Sequence, residues 1–169
     1  TLHAIQLWVN LPRAQKMSAP RYQTILNVDI PKVELDGGAG RLRVIAGTAQ
    51  GQKGPAHTVT PIELYDLELL AGRRVELHVP DGHNASIFVV HGLVSTNGSR
   101  DAGEAELFVC RRNGSLVTIE AKSDSRIVLM SGEPIDEPIA RHGPFVMNTK
   151  AELVQAVNDY QAGKMGHLS

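Results

Sequence analysis

The sequence predicts an all-β domain, a sandwich or a closed barrel, finished by one amphipathic helix. Three observations carry this. Apolar and polar residues alternate with period two in seven short runs between residues 41 and 130, and Asp-Gly and Asn-Gly pairs punctuate them. No helical period separates those runs, so the crossovers of a parallel α/β sheet are missing. Helical spacing appears only near the end, after Thr149.

In chain order, Ile5, Leu7 and Val9 alternate with Gln6, Trp8 and Asn10, which predicts a strand in the first ten residues. Further strands are expected at 41–45, 62–69, 74–79, 85–90, 106–110, 116–120 and 126–130. Asn113-Gly114 predicts a tight hairpin between the strands at 106–110 and 116–120, because both central residues of that turn need positive φ. Asp36-Gly37, Asp81-Gly82 and Asn97-Gly98 mark other turns. From Ser131 to Asn148 the chain carries Pro134, Pro138 and Pro144 among Ile135, Ile139, Phe145, Val146 and Met147. Such a segment is expected to run extended without pairing while its apolar residues seek burial. Thr149 and Glu152 then form a capping box, and Leu153, Ala156, Val157 and Tyr160 recur at helical spacing until Gly163.

Composition narrows the function. A content of 42% hydrophobic residues with 16 glycines and 9 prolines fits a globular, turn-rich chain. Lys and Arg total 17 against 18 for Asp and Glu, so charge argues against a nucleic-acid or anionic-membrane partner. No apolar stretch is long enough for a membrane-spanning helix, and no signal-peptide pattern opens the chain. Cys110 is the single cysteine, which excludes an internal disulfide and a cysteine-built zinc site and fits a reducing, cytoplasmic setting. The Asn-x-Ser triplets at Asn84, Asn97 and Asn113 are expected to be turn chemistry. Opening on Thr1 and directly into an alternating run, the sequence has the character of a fragment.

Candidate chemical groups are few. Gly47 to Gly54 resembles a phosphate cradle, but Lys53 is followed by Gly-Pro and not by a helix start, so a plain loop is expected. Cys110 lies on an alternating strand with no nearby base and is expected to be an inert thiol. Glu133, Asp136 and Glu137 share the proline-rich segment, where capping or solvation is expected rather than acid catalysis. A metal centre inside a β-barrel needs several converging imidazoles or carboxylates, commonly His-x-His on one strand. None of the seven histidines forms that pair.

One stretch, Gly72-x5-His78-x-Pro80-x4-Ala85-x6-Gly92, has the spacing of the first cupin motif. Pro80 stands at its second histidine and Asn84 or Ala85 at its glutamate, so His78 is expected to be a leftover barrel histidine that binds no metal. The sequence is further similar to the pirin family of bicupins. Gln6-Leu-Trp-Val-Asn-Leu-Pro12, Lys16-Met17, Pro20-Arg-Tyr-Gln23, Gly132-Glu-Pro-Ile-Asp-Glu-Pro138 and Gly143-Pro-Phe-Val-Met-Asn-Thr149 carry the resemblance.

That resemblance implies a double-stranded β-helix, the jelly-roll barrel of cupins, with a C-terminal arm and helix. It implies a division into residues 1–12 linking to an N-terminal cupin, 13–130 as the C-terminal cupin, and 131–169 as an interdomain arm and helix. It implies two barrels face to face in the parent protein, the N-terminal one holding Fe(II) through three histidines and a glutamate, and no cofactor in this chain. Phe145, Val146, Met147, Ile135 and Ile139 are then expected to contact the neighbouring barrel. Bacterial pirins resemble quercetin 2,3-dioxygenases and a nuclear mammalian pirin acts as an iron-dependent transcriptional coregulator. The implied partners of the parent are therefore its own N-terminal cupin and a flavonoid-like molecule or a protein.

Overall fold

A computed structural model describes residues 4–165. The chain divides into two compact units, residues 21–134 and a second unit made of residues 1–20 with 135–169.

The unit of residues 21–134 is the expected all-β jelly roll. Twelve strands are assigned: β1 (Lys32–Glu34), β2 (Gly40–Ala46), β3 (Thr48–Ala49), β4 (Gln52–Lys53), β5 (Ile62–Leu69), β6 (Arg74–His78), β7 (Asn84–His91), β8 (Leu93–Thr96), β9 (Asp101–Gly103), β10 (Leu107–Val109), β11 (Leu116–Ala121) and β12 (Ser125–Gly132). They form a six-stranded sheet in the order β1-β2-β5-β12-β7-β10 and a four-stranded sheet in the order β6-β11-β8-β9, with β3 and β4 pairing alone. Every pairing is antiparallel.

Period two explains why these sheets face each other. In β5, Tyr65, Leu67 and Leu69 lose nearly all contact with water, and β12 opposes them with Ile127 and Leu129. The four-stranded sheet answers with Val75, Leu77, Val94, Val117 and Ile119, all in the same core. Each such side chain gains about 1.5 to 3 kcal/mol on full burial, which sets the register, since a slip of one residue would turn the whole set outward. Gly92 joins β7 of one sheet to β8 of the other with φ of 92°. A Cβ there would lie 2.6 Å from the Asp124 carbonyl oxygen.

The Asn113-Gly114 hairpin is not formed. β10 pairs with β7 and β11 with β6 and β8, so the turn carries the chain between sheets. Gly114 has φ of 95°, whereas Asn113 is not among the left-handed residues. Tight-turn geometry sits instead at Asn97 and Gly98 between β8 and β9, with φ of 50° and 68°. The Gly47 to Gly54 loop is also more ordered than expected: Gln50 and Gly51, with φ of 49° and 73°, close the short hairpin of β3 and β4.

In the other unit, residues 4–12 pair with no strand among the described residues, contrary to the expected strand. Alternation there specifies a face but supplies no edge to pair with. Ile5, Leu7 and Val9 are 42–58% exposed. The expected unpaired arm is corrected as well. Ala140–His142 (β13) and Phe145–Met147 (β14) form an antiparallel hairpin closed at Gly143. Pro134 and Pro138 lie before it and Pro144 in its turn, so no proline removes a ladder donor. Helix α1, Lys150–Gln161, begins at the expected capping box, with Glu152 N–H donating to Thr149 Oγ1 and Thr149 N–H donating to Glu152.

Candidate functional site

The motif spacing does not bring its residues together. Inward positions on β6 belong to Val75 and Leu77, followed by Val79, so His78 and Pro80 face outward and are exposed. The expectation that His78 is a barrel histidine is thus corrected: one step of parity separates it from the interior. Asn84 is also exposed and accepts a hydrogen bond from Arg112 Nε at 2.8 Å. Of the four motif positions only Ala85 is buried, on the inner face of β7.

The same parity carries three polar residues into the mouth of the barrel. His83 precedes the inward series Ala85, Ile87 and Val89; Glu63 precedes Tyr65, Leu67 and Leu69; Ser131 follows Ile127 and Leu129. Ser131 is the register partner of both Glu63 and Ala85, and His83 stands two residues before Ala85. His83 Nδ1 lies 3.3 Å from Ser131 Oγ and 3.3 Å from Glu63 Oε2. The imidazole and carboxylate side chains are 9% and 13% exposed. Glu63 Oε2 is off the line of a hydrogen bond to His83 and has no hydrogen-bond partner among the described residues. Tyr65 adds to this end: its hydroxyl donates to the Thr48 carbonyl at 2.8 Å, and burial followed by the Glu63 charge pushes its pKa to about 12.

Beside this cluster opens a cavity of about 370 Å³ lined by Val79, His83, Ala85, Thr96, Phe108 and Cys110, with Asn97, Ser99 and Arg111 around it. Burial pushes the Cys110 thiol above its ordinary value, so it is a weak nucleophile at neutral pH, in line with the inert thiol expected from the sequence. Among the described residues no three His, Cys, Asp or Glu side chains gather in a group that could hold a metal. With Leu77 and Val79 at the inward positions of β6 and His83 turned to Ser131 and Glu63, this interior does not fit a three-histidine iron centre.

The residues expected at an interdomain contact lie in the second unit. Phe145, Val146 and Met147 are half-buried in β14, and the Phe145 ring meets Tyr160 of α1 edge to face at 5.9 Å. Ile135 is half-buried and Ile139 is 69% exposed. The carboxylates of the proline-rich segment divide as capping chemistry would have them: Glu137 accepts from the Arg13 N–H, which opens a helical turn, and from the Asn148 amide. No helix among the described residues is long and apolar enough to cross a membrane.

Comparison with known proteins agrees with this architecture. The model of the pirin C-terminal cupin domain matches residues 64–166. A Pseudomonas aeruginosa protein, provisionally named a quercetin 2,3-dioxygenase, is 43% identical over 97% of this chain and 57% of its own length. A pirin-like protein of Solanum lycopersicum is 39% identical over 98% of this chain and 57% of its own. A crystal structure of a quercetin 2,3-dioxygenase from Acinetobacter baumannii superposes with a TM-score of 0.90 at 39% identity, covering 96% of this chain and 56% of that one. The chain thus spans somewhat more than half the length of these relatives. Fold, family model and identity converge: the chain belongs to the pirin family, and residues 64–166 match that family's C-terminal cupin domain.

Proposed function

We propose that this chain is the supporting half of a two-cupin protein whose other half holds Fe(II) and carries quercetin 2,3-dioxygenase-like chemistry. The carrying observation is the mismatch between its interior and its relatives' names. Two observations support this reading: among the described residues no three potential ligand side chains gather and the inward positions of β6 are apolar, while the related proteins named as quercetin 2,3-dioxygenases extend well beyond the matched length. In this reading the jelly roll serves as a rigid platform. Phe145, Val146, Met147, Ile135 and Ile139 supply apolar contact to the iron-bearing barrel, and this half helps exclude water from its mouth.

The test compares this chain with its full-length parent, each supplied with Fe(II), dioxygen and quercetin. Turnover is expected from the parent and none above background from the 169-residue chain. His78→Ala in the parent is expected to leave kcat unchanged, because His78 faces outward. Turnover by the chain alone would remove the assignment of chemistry to the other half. A parent that binds a protein only when iron-loaded, and never turns over quercetin, would favour a regulatory role.

A further inference from the structure

We propose that the cavity at the mouth of this barrel binds a small monocarboxylate with an apolar body, its carboxylate held at the rim by Arg111. The site lies within residues 79–117 and needs neither iron nor the half that would carry it.

The sign of the lining decides the charge of the ligand. No aspartate or glutamate lines the cavity. Arg111 is the permanently charged side chain of the lining, and among the described residues its guanidinium has no hydrogen bond or ion pair. The Cys110 thiol, pushed up by burial, stays neutral at neutral pH. The lining is therefore positive whichever protonation state His83 takes. Two carboxylates stand outside it. Glu63 lies 3.3 Å from His83 Nδ1, which makes the His83 side the unfavourable end for an anion. Asp81 accepts the Gly114 N–H at 2.6 Å, and no ion pair joins it to Arg111. The guanidinium is thus left to meet a carboxylate from solution.

Unused donors gather at the same rim. Asn97 lies on the exposed connection from β8 to β9, and Asn113 on the exposed connection from β10 to β11. Asn97 Oδ1 accepts the Thr118 N–H at 2.8 Å, which fixes the oxygen end of the amide and leaves its N–H groups without a partner among the described residues. Thr96, the residue before it, follows Val94 on the inward face of β8 and is the register partner of Ile119. Its Oγ1 is buried with no partner, a polar group that the protein itself does not satisfy. A guanidinium beside amide donors suits the two oxygens of a carboxylate. The rest of the wall is apolar, with Val79, Ala85 and Val117 buried and Phe108 half-buried, and it suits a hydrocarbon body. A volume of about 370 Å³ lies within the range of small-molecule sites.

2-Naphthoate and its neutral amide, 2-naphthamide, are the probes, since they share a ring system and differ in charge. Titrated at low salt into the unaltered chain without iron, the acid is expected to bind saturably and about tenfold more tightly than the amide. It is also expected to shift the backbone amide resonances of Ala85, Asn97, Cys110 and Val117, which line the cavity. Arg111→Met, at an exposed position, is expected to bring the acid to within about twofold of the amide while the amide's own affinity stays unchanged. Equal affinity of acid and amide, no saturation by the acid, a preference that survives Arg111→Met, or shifts confined to residues away from the cavity would each overturn the proposal. Because neither iron nor the other half is present, its failure is separate from failure of the dioxygenase reading.

Discussion

Asp66 shows how a single buried charge is tied to this sheet. It is 5% exposed on the outer face of β5 and accepts from Arg43 Nη1 at 2.6 Å and from Arg126 Nε and Nη2 at 3.0 and 2.8 Å. Burial raises its pKa, but the hydrogen bonds and charges of Arg126 and Arg43 outweigh that effect and hold it below 3.8. A folded-state value below the unfolded one means that stability from this group is fully present above about pH 4. It fades as the pH falls through the depressed folded value. Asp66→Asn should cost about 2 kcal/mol at pH 7, below the range for a fully buried broken pair because Arg126 is half in water. In the variant the acid-side loss of stability should be shallower, as read by urea unfolding at pH 7 and pH 3. An equally steep loss would assign it to other carboxylates. His83, Glu63 and Ser131 carry the complementary lesson at this scale. Each was legible, by extending an inward series by one step, yet the cupin spacing drew attention to His78, one residue out of phase.

At the scale of elements, helix α1 tests how much a local signal is worth. Thr149 Oγ1 accepts from Glu152 N–H at 3.2 Å, while Glu152 accepts from Thr149 N–H at 2.8 Å and from Arg13 at 2.6 Å. Thr149→Ala should cost about 1 kcal/mol. Hydrogen exchange should show faster opening confined to the first turn of α1, and unchanged protection there would mean that Arg13 alone holds Glu152. Signals of this kind were legible because partner and signal lie within four residues. The strands β2, β5, β6, β7, β10, β11 and β12 were legible for a related reason, since alternation is a property of each run by itself, whereas the short β8 and β9 were not among the expected runs. Pairing was not legible. Asn113-Gly114 has the composition of a hairpin turn, but which sheet β11 joins depends on β6 and β8, much earlier in the chain, so the chain crosses between sheets there. β13 and β14 were missed because three prolines argue against a ladder. Only their placement outside the paired positions removes the objection.

Over the whole molecule, the second unit carries large exposed apolar side chains. Trp8 is 70% exposed, Ile139 69%, Val154 62% and Tyr160 64%, a heavy share of large apolar side chains for so small a unit. If this surface meets a second cupin, substitutions on it should act differently in the two contexts. Ile139→Asp in this chain should alter stability by no more than about 0.5 kcal/mol, as at any solvated position without a defined partner. In the full-length parent the same change should cost about 1.5 to 3 kcal/mol, the loss of one buried aliphatic side chain, and should release iron at lower denaturant concentration. Paired urea titrations of chain and parent, with iron content followed in the parent, make the comparison. Equal small effects in both would show that Ile139 stays in water, and the supporting role would then have to rest on other parts of the surface.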